Sequence, residues 1–275
     1  MKQAFTKYGY SKVRDFEKCP AYYNHRWNMG LTPKRVAEAP LFGTVFHAFR
    51  QAWYENNKDP DVALRAVHDV MVDYIGREGF DAPTFSMYVL DACYQYMEEY
   101  KDDKTERTGY EVDFDTEIGG FPFTGRLDGV VVVDSSVWID ECKTTGVSVP
   151  RFIQTMNMDG KTTGYVWAAR KITGQLIQGA YLDIIYKKQK KSGFTFHRDV
   201  TSRTDHHLDV WEKSTINKLQ RIEKCRQEDY WPHHWDACSN MYGNCPYIDL
   251  CRFGDRPELI ATYHQEGGES IEPGS

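Results

Sequence analysis

Along PLFGTVFHAFRQAWY, residues 40 to 54, the apolar positions Phe42, Val45, Phe46, Phe49 and Trp53 recur at the spacing of one helix face, with Pro40 suited to the first turn. Upstream, Ser11 is placed to cap a helix carrying Val13, Phe16 and Tyr23. Two further helical stretches cover residues 60 to 76 and 84 to 103. At residue 111 the period changes to two. EVDFDTEI alternates, Gly119-Gly120 turns the chain, and FPFTGRLDGVVVVD leads through Ser135-Ser136 into VWIDECKT. The four valines 130 to 133 predict a central strand buried on both faces. A helix over 161 to 172, strands at QLIQGAYLDIIYKK and GFTFHRDV, and a long helix from 203 to 228 complete the pattern.

Helices, a three-strand meander, a crossover helix and two more strands predict an α/β domain whose mixed central sheet is flanked by helices. No repeat or low-complexity break marks a second domain, so one domain is expected over 1–266. It divides into a helical region (1–108), a sheet core (109–201), and a long helix with a cysteine-rich segment (202–255). GGESIEPGS, residues 267–275, has the composition of a disordered tail.

Composition sharpens the setting. A chain of 275 residues with 41% hydrophobic and 14% aromatic residues can build a sizeable core. Neither a signal peptide nor a membrane span is visible, and a cytoplasmic, reducing compartment is expected. Seven cysteines in that setting read as free, metal-bound or catalytic thiols, not as a disulfide framework. The net charge of -6 argues against binding nucleic acid through the whole surface, leaving a local basic groove as the alternative. The densest basic run, KKQKK at 187–191, reads as a solvated hairpin tip before it reads as a DNA contact.

In VWIDECKT, side chains two apart share a strand face, so Glu141 and Lys143 point one way and Asp140 and Cys142 the other. If Ser135-Ser136 is the hairpin loop, Asp134 pairs with Val137, and Asp128 falls opposite Lys143 and diagonal to Glu141. Two carboxylates in one place favour a hard divalent cation such as Mg²⁺ or Mn²⁺. A lysine beside them can orient a water or stabilise charge on a phosphate. That set suggests metal-assisted phosphodiester hydrolysis; an ordinary surface salt bridge uses the same residues.

The order Gly125-Arg126-Leu127-Asp128, then Glu141-Cys142-Lys143-Thr144 thirteen residues on, resembles the core motif of the PD-(D/E)XK nuclease superfamily, a restriction-endonuclease-like fold, and its RecB-like exonuclease branch in particular. That branch has a histidine after a Gly-Thr pair on an upstream helix, and Gly43-Thr44-Val45-Phe46-His47 stands here. The resemblance implies that His47, Asp128, Glu141 and the backbone carbonyl of Cys142 are metal ligands, with Asp128, Glu141 and Lys143 catalytic. An imidazole ligand suits Mn²⁺ better than Mg²⁺. The branch's substrate-binding Gln-x-x-x-Tyr run is matched by Lys161-Thr162-Thr163-Gly164-Tyr165, so Tyr165 fits and Lys161 replaces the glutamine. A lysine reaches phosphate as a point charge but lacks the paired donor and acceptor of an amide.

Cys238, Cys245 and Cys251, in ACSNMYGNCPYIDLC, have six and five residues between them, intervals that fit zinc poorly. Zinc with His233 or His234, and free thiols, are the alternatives. One cysteine ahead of the nuclease motifs, Cys19 in FEKCPAYY, and three behind, ending Cys-Pro-Tyr-x-x-x-Cys, resemble the iron-sulfur members of the RecB-like branch. They include helicase-nuclease subunits and CRISPR-associated adaptation exonucleases. The resemblance implies a structural 4Fe-4S cluster on Cys19, Cys238, Cys245 and Cys251, and exonuclease action on DNA ends, single strands above all. It also implies a helicase, recombinase or integration-complex partner; that no membrane is expected follows from the apolar pattern above. Cys93, Cys142 and Cys225 are expected to be packing residues. The alternative function is a non-catalytic DNA-binding or assembly protein that keeps the fold and the cluster.

Overall fold

The computed structural model describes residues 7–34, 38–75, 80–187, 193–240 and 243–265. The tail 267–275 and residues 188–191 of the basic run lie outside the described residues. The chain groups into two compact units. The first takes Met1–Arg35, Asp115–Thr124 and Asp209–Glu272, and the second Val36–Phe114, Gly125–Leu208 and Pro273–Ser275.

In the first unit lie α1 (Tyr10–Lys18), α2 (Pro20–Tyr23) and the short strand β1 (Leu31–Pro33). Gly9 precedes α1 without a side-chain cap, so Ser11 sits inside the first turn and not at its boundary. The second unit begins with α3 (Glu38–Glu55), α4 (Pro60–Val72) and α5 (Ala82–Glu99). α3 starts two residues ahead of Pro40, which a first turn tolerates because its N–H would have no helical acceptor. Asp59 caps α4 by accepting from the N–H groups of Asp61 (2.9 Å) and Val62 (3.2 Å), and Asp81 caps α5 through Thr84 N–H (3.2 Å).

The central sheet follows: β2 (Glu106–Ile118), β3 (Phe121–Val133), β4 (Ser136–Thr145), then helices α6 (Val149–Met156) and α7 (Gly160–Thr173), then β5 (Ile177–Lys187) and β6 (Phe194–Ser202). The five strands lie in the order β2-β3-β4-β5-β6. β3/β4 and β5/β6 are antiparallel and β4/β5 parallel, the mixed sheet expected from a meander followed by a helical crossover. α6 went unread in the sequence because it has only eight residues, too few for a periodic signal.

Two expectations are corrected. The β3–β4 loop is Asp134-Ser135, not Ser135-Ser136: both residues have left-handed backbone (φ +47° and +62°), and Val133 pairs with Ser136. A tight hairpin needs that conformation twice, and Asp adopts it more readily than most residues. The four-valine run is not buried on both faces: only Val131 is fully buried, because β4 and not β3 is the middle strand.

Helices α3, α4 and α5 bury Phe42, Phe46, Phe49, Val67, Val89 and Tyr96 together with Cys142 of β4 and Ile185 of β5. Inside this layer the Arg50 guanidinium of α3 donates to both Asp140 oxygens (2.8 and 2.7 Å) and, through Nε, to Asp183 (2.8 Å). Arg107 adds a bond to Asp140 at 3.1 Å.

The long helix α8 (Asp205–Glu228) leads from the second unit into the first, where β7 (Ser239–Asn240), β8 (Gly243–Asn244), α9 (Ile248–Phe253), α10 (Pro257–Ile260) and β9 (Tyr263–Gln265) end the described chain. Within the first unit β9 pairs antiparallel with β1, and Tyr247 donates its hydroxyl to Leu31 O at 2.6 Å. Leu31, Tyr247 and Leu250 form a small buried cluster.

Candidate metal centre and cysteine cluster

The candidate centre lies within the second unit. His47 comes from the middle of α3, Asp128 from β3, Glu141 and Lys143 from β4, and Lys161 from the first turn of α7. The hairpin register sets the pairing. Gly129 faces Asp140, so the ladder carries Asp128 on to Glu141 and not to Lys143. Moving a loop by one residue moves each partner by two, which leaves every side chain on its expected face.

Asp128 accepts the Cys142 backbone N–H at 2.8 Å, and its Oδ2 lies 3.5 Å from His47 Nδ1. Lys143 forms an ion pair with Glu141, and Lys161 Nζ lies 3.9 Å from the same Glu141 oxygen. Burial holds His47 below the usual imidazole value against the pull of Asp128, which keeps a ring lone pair available to a ligand. Burial would raise the Asp128 carboxyl, but His47, Lys161, Lys143 and the Cys142 N–H together hold it lower. Glu141 is fully buried, and its Oε2 has no hydrogen-bond partner. A fully desolvated carboxylate oxygen without a donor is costly, and a divalent cation is the partner that would relieve it. An imidazole nitrogen with carboxylate oxygens also suits such an ion, Mn²⁺ especially, so these residues fit a metal centre.

Asp140 and Cys142 face away from this group. Asp140 is held by Arg50 and Arg107, and Cys142 lies among the helices with its thiol pushed well up by burial. Thr162, one residue into α7 from Lys161, is anchored by the Asp159 cap, which accepts from its N–H (2.8 Å) and hydroxyl (2.7 Å). One turn on, the Tyr165 ring is buried edge-on to Phe114 (5.7 Å between centroids), with Lys161 Nζ 5.1 Å from the ring centre. Gly125 makes room for this pair, because a Cβ there would meet Phe114 at 2.6 Å.

Sequence reading missed Glu111. Alternation along EVDFDTEI makes it the first of a row of outward polar residues, with Val112 turned inward. Left-handed backbone at Glu111 (φ +44°) breaks the alternation: Val112 is 37% exposed, and Glu111 turns toward Asp128 and His47. Gly129 permits the crossing, since a Cβ there would strike Gly109 O at 2.5 Å. Burial first, then the Asp128 charge, push the Glu111 carboxyl up to about 7.

Within the first unit, the four cysteines singled out in the sequence lie in one neighbourhood, though among the described residues no three of their thiols lie within 4.8 Å of one another. Cys245 N–H donates to Cys238 O at 2.8 Å across β7–β8, and His234 N–H donates to Cys19 Sγ at 3.4 Å. The Cys251 thiol is raised to about 11 by burial and then by Cys245, Cys19 and Cys238, which places all four in one electrostatic neighbourhood. Lys18 is a cation that acts on Cys245 within this group. The imidazole ring that touches them is His25, 3.7 Å from Cys251 Sγ; the His233 ring stacks on Trp235 and the His234 ring lies against Lys18 O.

A mixed sheet flanked by helices, with carboxylates and a lysine on β3 and β4 and an imidazole brought to them by α3, defines the restriction-endonuclease-like α/β class. The family model of the PD-(D/E)XK nuclease superfamily matches residues 8–252, and the chain belongs to that superfamily. Among solved structures, it is similar to a candidate exonuclease of Eubacterium rectale, with 15% identity over 91% of this chain and 89% of that chain and a TM-score of 0.55, which supports the fold. Weaker likenesses are to SSO0001 (14% identity, 64% of this chain and 73% of that one, TM-score 0.29) and to an alkaline exonuclease of Laribacter hongkongensis (14%, 60% and 85%, TM-score 0.28). The search of curated proteins found no match. No helix among the described residues is long and apolar enough to cross a membrane.

Proposed function

We propose that the chain is a metal-dependent DNA exonuclease that hydrolyses phosphodiester bonds at DNA ends, single strands above all, and carries a structural 4Fe-4S cluster. The observation that carries the first part is the fully buried Glu141 carboxylate, lacking a hydrogen-bond partner at Oε2, set against Lys143 and beside Asp128 and His47. His47, Asp128, Glu141 and the Cys142 carbonyl would hold Mn²⁺ or Mg²⁺, which when bound supplies Lewis acidity and an activated water.

The protein's own groups do the rest. Asp128 is held in place by the Cys142 N–H, so its geometry is set by the strand pair before substrate arrives. Lys143 orients the attacking water or offsets charge on the phosphate, and Lys161 offers a second positive charge to the backbone of the DNA. Tyr165 supports Lys161 from below. DNA as the substrate, its ends as the point of attack and the preference for single strands rest on the superfamily and on resemblance to its RecB-like branch. A helicase, recombinase or integration complex as partner rests on the same resemblance.

The clustering of Cys19, Cys238, Cys245 and Cys251 supports the iron-sulfur reading, and these four would hold the cluster. Digestion of 5′-labelled and 3′-labelled DNA with Mn²⁺ tests the activity. Wild type should shorten the strand from an end, and Lys143→Ala should slow this by about 10²–10⁴-fold. No digestion by wild type, or equal digestion by the variant, sinks the enzyme reading and favours the non-catalytic DNA-binding alternative.

A further inference from the structure

Glu111 stands outside the motif that marks this superfamily, yet it lies with two of the motif's residues. One ligand atom each from His47, Glu111 and Asp128 lies within 4.8 Å of the other two, and the three come from α3, β2 and β3. An imidazole nitrogen and two carboxylate oxygens at such separations can surround a single hard or borderline divalent ion.

Charge balance points the same way. Glu111 and Asp128 are like charges held together. The lysines nearby, Lys143 and Lys161, both lie against a third carboxylate, Glu141. Arg126 is 3.8 Å from Glu111 and makes its close contacts to Asp113 instead, at 2.6 and 3.1 Å. Fully buried Glu141, with its unpartnered Oε2, faces the same residues, so three carboxylates converge on one centre. The fold also forces the approach: β2 crosses Gly129 so closely that no Cβ fits, and Glu111 is turned inward there against its strand parity.

We propose that His47, Glu111 and Asp128 seat a divalent cation, which makes Glu111 a metal ligand that the motif does not name. The inference deepens the nuclease reading and rests on it for the identity of the metal centre. Mn²⁺ is the favoured ion, because one donor in three is an imidazole.

The test is a titration of the purified full chain with Mn²⁺, followed by electron paramagnetic resonance of the free ion, in wild type, Glu111→Gln and Glu111→Asp. Glu111→Gln keeps the shape and removes the charge, and should weaken Mn²⁺ binding at least about tenfold with an unchanged far-ultraviolet circular dichroism spectrum. Glu111→Asp keeps the charge and shortens the reach, and should weaken it less. Should the Gln variant fail to fold, the Asp variant decides by itself. Binding by a folded variant equal to wild type overturns the inference. Binding is read without DNA, so a wild type that takes up Mn²⁺ through Glu111 but cuts no DNA overturns the exonuclease reading and leaves this one standing.

Discussion

Cys142 lies between the two residues of β4 that face the metal centre, and its thiol is the group a reader of ECK would first suspect of chemistry. Strand parity alone sends it the other way, and it is fully buried among the helices with its thiol pushed well above the usual value. A thiol held protonated is no nucleophile. Cys142→Ser should therefore leave the cleavage rate of the folded protein near that of wild type. It should lower stability by about 1–3 kcal/mol, because a hydroxyl replaces a weakly polar group in an apolar layer. Thermal melts and single-turnover cleavage read the two effects separately, and a folded variant without activity would contradict the parity argument. The faces of Asp140, Glu141, Cys142 and Lys143 were legible because alternation in a regular strand depends only on counting. Glu111 was not, since one residue of left-handed backbone reverses the count and nothing in EVDFDTEI signals it.

At the scale of elements, the sheet order follows from a meander and a crossover, and the helices from their apolar period and their caps. What the pattern does not reveal is how α3 is fastened to the strands beneath it. Arg50 is one turn beyond His47, and its guanidinium bonds Asp140 of β4 and Asp183 of β5, with all three side chains almost fully buried. The partners stand 90 and 133 positions away in the chain, so no local spacing could pair them. Such a clamp fixes the rotation of the helix that carries His47 relative to the strand that carries Glu141. Arg50→Met leaves two carboxylates buried without their main counter-charge, and should destabilise the protein by about 3–5 kcal/mol in urea unfolding. Replacing Asp140 by Asn in the same chain removes one stranded charge and should recover part of that loss. A double variant no more stable than Arg50→Met would show that Asp140 is not left stranded, its charge then being held by Arg107 at 3.1 Å.

Over the whole molecule, the iron-sulfur reading rests on the order of motifs and not on their spacing. Cys19 and Cys238 are separated in sequence by Val36–Phe114 and Gly125–Leu208 of the second unit, yet both belong to the first, together with Cys245 and Cys251. The first unit is thus assembled from the two ends of the described chain and the strand turn at 115–124; Phe16, Tyr23, Phe123 and Leu219 are buried in it, and Leu31, Tyr247 and Leu250 form a separate small cluster. Segments joined over so long a loop gain from a cross-link, and four thiolates on one metal cluster would supply it. Iron removal by an anaerobic chelator should then release hydrogen-exchange protection in 10–33 and 239–265, while β4, β5 and α7 keep theirs. Cys251→Ser should reproduce the effect and abolish the visible absorbance of the purified protein. A wild-type preparation that is colourless and iron-free, with 10–33 protected as strongly as β5, would mean that the thiols pack without metal and that the first unit holds together through its apolar packing and the β1–β9 pair.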